Sequence, residues 1–503
     1  MREQLIWIVP AVVFLLVAQF ARGQGAGAAA FKAGFAERDI TPELGMECPG
    51  GYGKSYHRRL HDPCKVRAAV FDDGQTRVAL VGVDALIVRE DLVVAARKDI
   101  QAGCGIAPQA VLIGASHSHS SGPTGMILPG EFDHGDDLVR ELAYKKSSCA
   151  DAKYLATVRK AITDAVVEAD KKRADAKCGV GAGSEGRVCF NRRFRMKNGQ
   201  TWTHPGKGNP DIVGPAGPID PQVGVIGAWD AEGKLTGCVV NFACHATTSP
   251  GGISANWICW MEKAIRGSFG DEVIVVFLQG ACGDVTQVNN LSPTPDPDGP
   301  VLGGHIGAEA VKVLLSIPRG PLGPVAAVSK TLDIKRRLPA GSRVQACRTL
   351  VTEPPAKVGH TNWTFAKEIV LLDALAARKP TVQVEVQAIQ VGPAVFLSNP
   401  AEFFCQLGLD IKAGSEFPFT FPVELANGCV GYVPTEEALG PGGGGYETRL
   451  TCYSNLEKTA GTQIVKACIE LARSLKPGKI PASRKTAAWT KAWEYGSVRP
   501  ELE

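Results

Sequence analysis

Apolar and polar positions alternate along this chain in short blocks. The blocks switch between the two-residue period of strands and the three-to-four-residue period of helices. Val66–Phe71 and Arg77–Val83 flank Asp72-Asp73-Gly74, residues suited to a tight hairpin turn. Val223–Trp229 and Gly237–Phe242 flank Asp230-Ala-Glu-Gly233 in the same way, and Val382–Val391 and Ala394–Leu397 flank Gly392-Pro393. Ala110–Ala115 and Glu272–Leu278 read as further strands. Asp91–Gln101, Tyr154–Lys171, Ala308–Leu315, Ala401–Ala413 and Thr462–Ser474 repeat apolar residues at helical spacing. Strands and helices are interspersed rather than segregated. The pattern predicts the α/β class, as one large domain of mixed sheets and helices with its active site at strand ends.

The first residues follow another pattern. Leu5–Phe20 is an apolar run behind Arg2, and Ala21 and Gly23 occupy the −3 and −1 positions of a cleavage site. Residues 1–23 are therefore expected to be a secretory signal peptide. Pro10 and Gln19 interrupt the run, which is short for a membrane span. Secreted or periplasmic residence follows. Residues 24–30 read as a Gly/Ala linker, 31–475 as the globular domain and 476–503 as a loosely ordered tail. In that tail Trp489 and Trp493, spaced i, i+4, are placed to dock one helical turn on the body.

Composition narrows the function classes. With 45% hydrophobic and 21% charged residues the chain is neither disordered, collagenous nor coiled coil. Its 55 basic and 51 acidic residues leave a net charge of +4, which excludes nucleic-acid binding driven by bulk charge. The 15 cysteines form no C-x-x-C, so neither a zinc ribbon nor a thioredoxin-type site is present. Export permits a few disulfides. Cys238, Cys244 and Cys405 lie in apolar text and read equally well as small buried hydrophobes. No G-x-S-x-G elbow is present, which argues against a serine hydrolase of that type.

Four polar spots carry candidate chemistry, and the first three follow strand-like runs. In Ser116-His117-Ser-His119 an extended backbone would turn both imidazoles to one face. Both could then serve one metal, or one could bind while the other transfers protons. His245, ending Asn241-Phe-Ala-Cys-His245, reads alone as a hydrogen-bonded structural histidine. Glu402, in Ser398-Asn-Pro-Ala-Glu402-Phe, sits at the start of a predicted helix, where a carboxylate complements the helix N-terminus. Tyr432 and Tyr446 lie in the glycine-rich stretch Asn427–Glu447, which reads alone as a surface loop. Together the four spots offer imidazole, carboxylate and phenol donors, a set that suits zinc (Zn2+). An open position on zinc lowers the pKa of bound water to about 7, which supplies a nucleophile at neutral pH.

These segments resemble the neutral/alkaline, non-lysosomal ceramidase family. The opening Ala33-Gly34-Phe-Ala-Glu-Arg-Asp39-Ile-Thr-Pro42 is similar to the start of that family's catalytic domain. Ile113–Pro123 is close to its G-T-H-T-H-S-G-P, and Asn191-Arg192 matches its N-R pair. Asn209-Pro210-Asp211 and Ile219-Asp220-Pro221-Gln222 resemble its N-P-D and I-D-P-Q runs. Phe242–His245, Pro400–Phe403, Gly431–Glu437 and Tyr446-Glu447 follow in family order.

The resemblance implies a zinc-dependent amide hydrolase that splits an N-acyl sphingoid base into fatty acid and amine through zinc-bound water. It implies His117, His245, Glu402 and Tyr432 as zinc ligands. His119 becomes the acid/base group, and Arg192 and Tyr446 stabilise the oxyanion. Two features depart from the family. Thr286, in Gly280–Asn289, occupies the position of the serine in the family's G-D-x-S-P-N loop, as the counterpart of that catalytic hydroxyl. Residues 476–503 are too few for the C-terminal β-sandwich of about 100 residues that family members usually carry. The expected partner is an amphipathic amide met during transient contact with a membrane surface, with no nucleic acid. Two other readings stay open: a zinc hydrolase of another amide or ester, and a non-catalytic metal-binding protein on the same scaffold.

Overall fold

The three hairpins read from the sequence form, and each seeds one sheet. The computed structural model describes residues 31–483 and 492–503. The expected signal peptide, the 24–30 linker and Trp489 lie outside them. Strands Lys65–Asp72 and Arg77–Val83 pair antiparallel, with Val66 opposite Val83 and Phe71 opposite Val78. Lys32–Asp39 adds to one side, while helix Glu90–Cys104 carries the chain across to Val111–Ala115, parallel to Arg77–Val83. The second sheet repeats the plan. Gln222–Trp229 and Leu235–Phe242 form the hairpin, Lys177–Ser184 flanks it, and helix Trp257–Phe269 leads to the parallel strand Ile274–Gln279. In the third, Thr381–Val391 and Ala394–Ser398 turn through Gly392, whose φ of 60° lies in the left-handed region that glycine adopts freely. Val325–Lys335 flanks that hairpin, and helix Cys405–Gly414 leads to the parallel strand Phe419–Val423.

Each sheet therefore joins a hairpin to one parallel crossover, and a parallel pair requires such a helical connection. Many of these strands are buried on both faces, which is why their text is almost continuously apolar. The sheets pack closely. A Cβ on Gly82 would stand 2.3 Å from the Phe277 carbonyl oxygen, and one on Gly224 would stand 2.2 Å from the Phe421 ring. The first and second sheets, and the second and third, meet at those points.

The helices start where capping side chains allow. Asp151 accepts from the Tyr154 amide ahead of Ala152–Lys171, and Asp298 accepts from Val301 ahead of Gly299–Ser316. Helices Asp137–Tyr144 and His360–Arg378 build a separate apolar cluster around Phe132, Val139 and Val370. No helix of the described residues is long and apolar enough to cross a membrane.

Three expectations need correction. The helix read from Ala401 begins at Cys405, because the Cys405 amide is held by the Asp284 carboxylate at 2.8 Å, and Glu402–Phe403 is a short strand instead. All fifteen cysteines are free thiols, and Cys238, Cys244 and Cys405 are buried as small hydrophobes. Trp493 does not dock on the body: it is 71% exposed and packs against Tyr495.

Candidate metal centre

The three sheets deliver one segment each to a common point. His117 lies just past Ala115 with a φ of 61°, a left-handed conformation costly for a non-glycine residue. The H-x-H segment is therefore not extended, as its spacing suggested. A turn, not strand alternation, brings the rings together, with centroids 4.7 Å apart. His245 lies past Phe242 at the end of the second hairpin, and its ring sits 4.6 Å from that of His117. Backbone pairing of Ser118 with Ala246 joins the two histidine segments. Glu402 follows Ala394–Ser398 and pairs with Tyr432 in a two-residue parallel ladder. Glu402 therefore does not cap a helix, and helix-charge complementarity does not account for it.

Hydrogen bonds fix the histidine tautomers. Nδ1 of His117 meets the Leu86 carbonyl at 2.9 Å, and Nδ1 of His245 meets the Cys282 carbonyl at 2.7 Å. A carbonyl only accepts, so both Nδ1 atoms carry hydrogen and, in the neutral rings, both Nε2 atoms present lone pairs. Those Nε2 atoms each lie 3.2 Å from Oε2 of Glu402. That oxygen is buried without a hydrogen-bond partner. With the rings neutral, none of these three atoms brings a hydrogen to the others, and a cation would satisfy them together. The donor types fit zinc. Nε2 of His119 stands 3.2 Å from that of His117, so the ligating atoms of His117, His119 and His245 could also hold a metal ion among themselves.

The electrostatics agree with a site ready for a cation. Burial, with the Arg192 and His117 charges, lowers the His245 pKa to about 3. Burial and the two neighbouring imidazoles hold His119 well below its ordinary value. Burial would also lower His117, but the Glu402 carboxylate outweighs it and raises the group. Burial would raise Glu402, yet His117 and His245 bring it well below the usual carboxylate range. Burial, Glu402 and Tyr446 push the Tyr432 phenol well above its ordinary value.

On the other side of Glu402 stands a buried guanidinium. Arg192 donates from Nε to Glu447 at 2.8 Å and from Nη2 to the Gly283 carbonyl at 2.7 Å and the Tyr432 hydroxyl at 3.1 Å. Its Nη1 lies 3.3 Å from the His245 Nε2 lone pair. The Tyr432 and Tyr446 hydroxyls are 2.7 Å apart. Tyr432 is a buried residue, not part of a mobile surface loop. His117, His119, His245, Glu402, Arg192, Tyr432 and Tyr446 are thus all brought together.

Thr286 follows Val285, whose carbonyl accepts from the His245 amide at 3.1 Å. Thr286 faces Phe190 across a two-residue ladder, and its hydroxyl accepts from the Val288 amide at 3.2 Å. Its neighbour Asp284 does the positioning work in that loop, accepting from the Asn191 side chain and from the Cys405 amide, each at 2.8 Å.

One residue at the site carries no signal in the sequence. Tyr453 donates to Oε1 of Glu402 at 2.7 Å, which leaves Oε2 to face the imidazoles. It is an ordinary tyrosine until the fold places it. Gly283 has no room for a side chain: a Cβ there would lie 2.6 Å from the Glu402 carbonyl oxygen.

No family model and no curated protein matches the chain. Solved structures do. A ceramidase complexed with C2 superposes with a TM-score of 0.64 at 18% identity, over 91% of this chain and 77% of the other. Neutral ceramidase from Pseudomonas aeruginosa superposes with a TM-score of 0.63 at 19% identity, over the same shares, 91% and 77%. The topology that brings three strand-end segments to one buried point is, in this chain, the neutral ceramidase fold.

Proposed function

We propose that this protein is a zinc-dependent amide hydrolase that cleaves N-acyl sphingosine or a related N-acyl lipid to fatty acid and amine. The observation that carries the reading is the unpartnered Oε2 of Glu402, faced by the Nε2 lone pairs of His117 and His245. His117, His245, Glu402 and Tyr432 would hold the zinc. Bound there, zinc supplies a Lewis acid and an activated water.

The chain's own groups do the rest. His119 takes a proton from the attacking water and passes it to the leaving nitrogen as the C–N bond breaks. Its low pKa keeps it in the accepting form at neutral pH. Arg192, fixed by Glu447 and Gly283, and the Tyr446 hydroxyl stabilise the charge that develops on the carbonyl oxygen. No step uses the Thr286 hydroxyl. Residues 1–23 would direct export, and an amphipathic substrate would be met at a membrane surface.

The test is turnover of a short fluorescent N-acyl sphingosine, with and without a zinc chelator. Fatty-acid release that stops on chelation and returns with zinc supports the reading. Release unaffected by complete metal removal overturns it.

A further inference from the structure

The candidate centre lies between two unlike spaces. Tyr446 forms part of the wall of an open groove lined by Trp202, His204 and Phe365 and floored by glycines. Tyr52, Met126 and Tyr453 belong both to the metal cavity and to an inner chamber of about 90 Å³. The chamber walls combine Ile127, Leu371 and Val430 with Ser147, Ser148 and Glu368. Its far end carries Arg89, Glu131 and Arg336, beyond which a cleft opens beside helix Glu90–Cys104. The more recessed chamber, with Ile127, Leu371 and Val430 in its wall, suits an acyl chain, and the open groove suits the amine portion.

Among the described residues no carboxylate forms an ion pair with Arg336. Glu131 is committed to Arg89 at 2.6 Å and to the Leu128 amide at 2.9 Å. Glu368, also in the wall, pairs with the buried Lys367 at 3.1 Å. The Arg336 side chain bonds neutral partners among the described residues, the Lys379 carbonyl at 2.9 Å and the Asn455 side chain. A plain methyl terminus arriving there would remove water from a guanidinium and give nothing back. A carboxylate would form charge-assisted hydrogen bonds with it.

We propose that the inner chamber is the acyl subsite and that Arg336 selects acyl groups that end in a carboxylate. This rests on the amide-hydrolase reading and names its substrate class more narrowly.

The test compares kcat/KM for the octanoyl and the 7-carboxyheptanoyl amides of one amine, and for N-octanoylglycine, which carries its carboxylate on the amine side. The wild type should favour the 7-carboxyheptanoyl amide over the octanoyl amide by about tenfold or more. In Arg336→Gln the ratio should collapse to near one, and Arg336→Lys should keep part of it. A folding defect lowers both rates and leaves the ratio intact. Equal rates in the wild type, or a ratio that survives Arg336→Gln, overturn the inference. An Arg336-dependent gain for N-octanoylglycine places the amine portion in the chamber and overturns it as well. Calorimetric binding of octanedioate and octanoate to the zinc-loaded protein separates the two claims. Arg336-dependent preference for octanedioate, with no amide turned over, defeats the hydrolase reading and keeps the subsite. Turnover without either preference does the reverse.

Discussion

Gly283→Ala is the smallest change expected to disable the centre. The glycine lies where the Gly280–Asn289 loop crosses the Glu402 strand. Its amide donates to the Phe403 carbonyl at 2.8 Å, and its carbonyl accepts from Arg192 at 2.7 Å. An added Cβ would sit 2.6 Å from the Glu402 carbonyl oxygen and 2.9 Å from the Glu402 carbonyl carbon. Both are rigid backbone atoms. The gap must open by about 0.8 Å to reach the 3.4 Å at which ordinary contact begins. Overpacking of this kind costs about 1–3 kcal/mol of stability. The larger effect is chemical, because the same movement displaces Glu402 from the two imidazoles and pulls Gly283 from Arg192. A misplacement near 1 Å costs about a hundredfold in rate. The expected outcome is a folded protein with weakened zinc binding and kcat/KM down about a hundredfold. Steady-state kinetics at saturating zinc and a competitive-chelator titration measure the two quantities. Wild-type kinetics with zinc affinity within twofold of wild type would refute the packing argument.

Other outcomes follow from the same geometry. His117→Ala and His245→Ala should each abolish bound zinc and turnover, and full zinc stoichiometry in both, by elemental analysis, would contradict the ligand assignment. Tyr446→Phe should lower kcat about 10²–10³-fold while zinc content holds, as expected for loss of one oxyanion donor; a change confined to KM would contradict that role. Arg187, then burial and His305, set the Glu185 carboxyl, which ends lowered to about 2. A lowered carboxyl pKa adds stability that is present above about 4.5 and fades as pH falls toward 2. Glu185→Gln should therefore melt below wild type at pH 6 and converge with it near pH 2; a gap that is constant across that range would contradict the linkage.

Much of this architecture is legible in the chain because its determinants are local. The turns Asp72-Asp73-Gly74 and Gly392-Pro393 stand between apolar runs, and the hairpins form with Val66 opposite Val83 and Val391 opposite Ala394. His117, His245 and Glu402 each follow such a run, so their convergence is a consequence of topology that spacing hints at. The rest depends on contacts distant in sequence. The left-handed turn at His117 has no local marker. The start of helix Cys405–Gly414 is set by Asp284, far upstream. Helix His360–Arg378 presents the consecutive run Ile369-Val-Leu-Leu372, which shows no single apolar face and is buried against the separate cluster. Tyr453 and Arg336 gain meaning only from the cavities they line.

Anomalous diffraction at the zinc edge from crystals of the zinc-loaded protein tests the ligand set directly. The predicted result is one peak in contact with Nε2 of His117, Nε2 of His245, Oε2 of Glu402 and the Tyr432 oxygen, with His119 outside ligand distance. A peak held by the three imidazoles with Glu402 turned away, or no peak at this position, would contradict it.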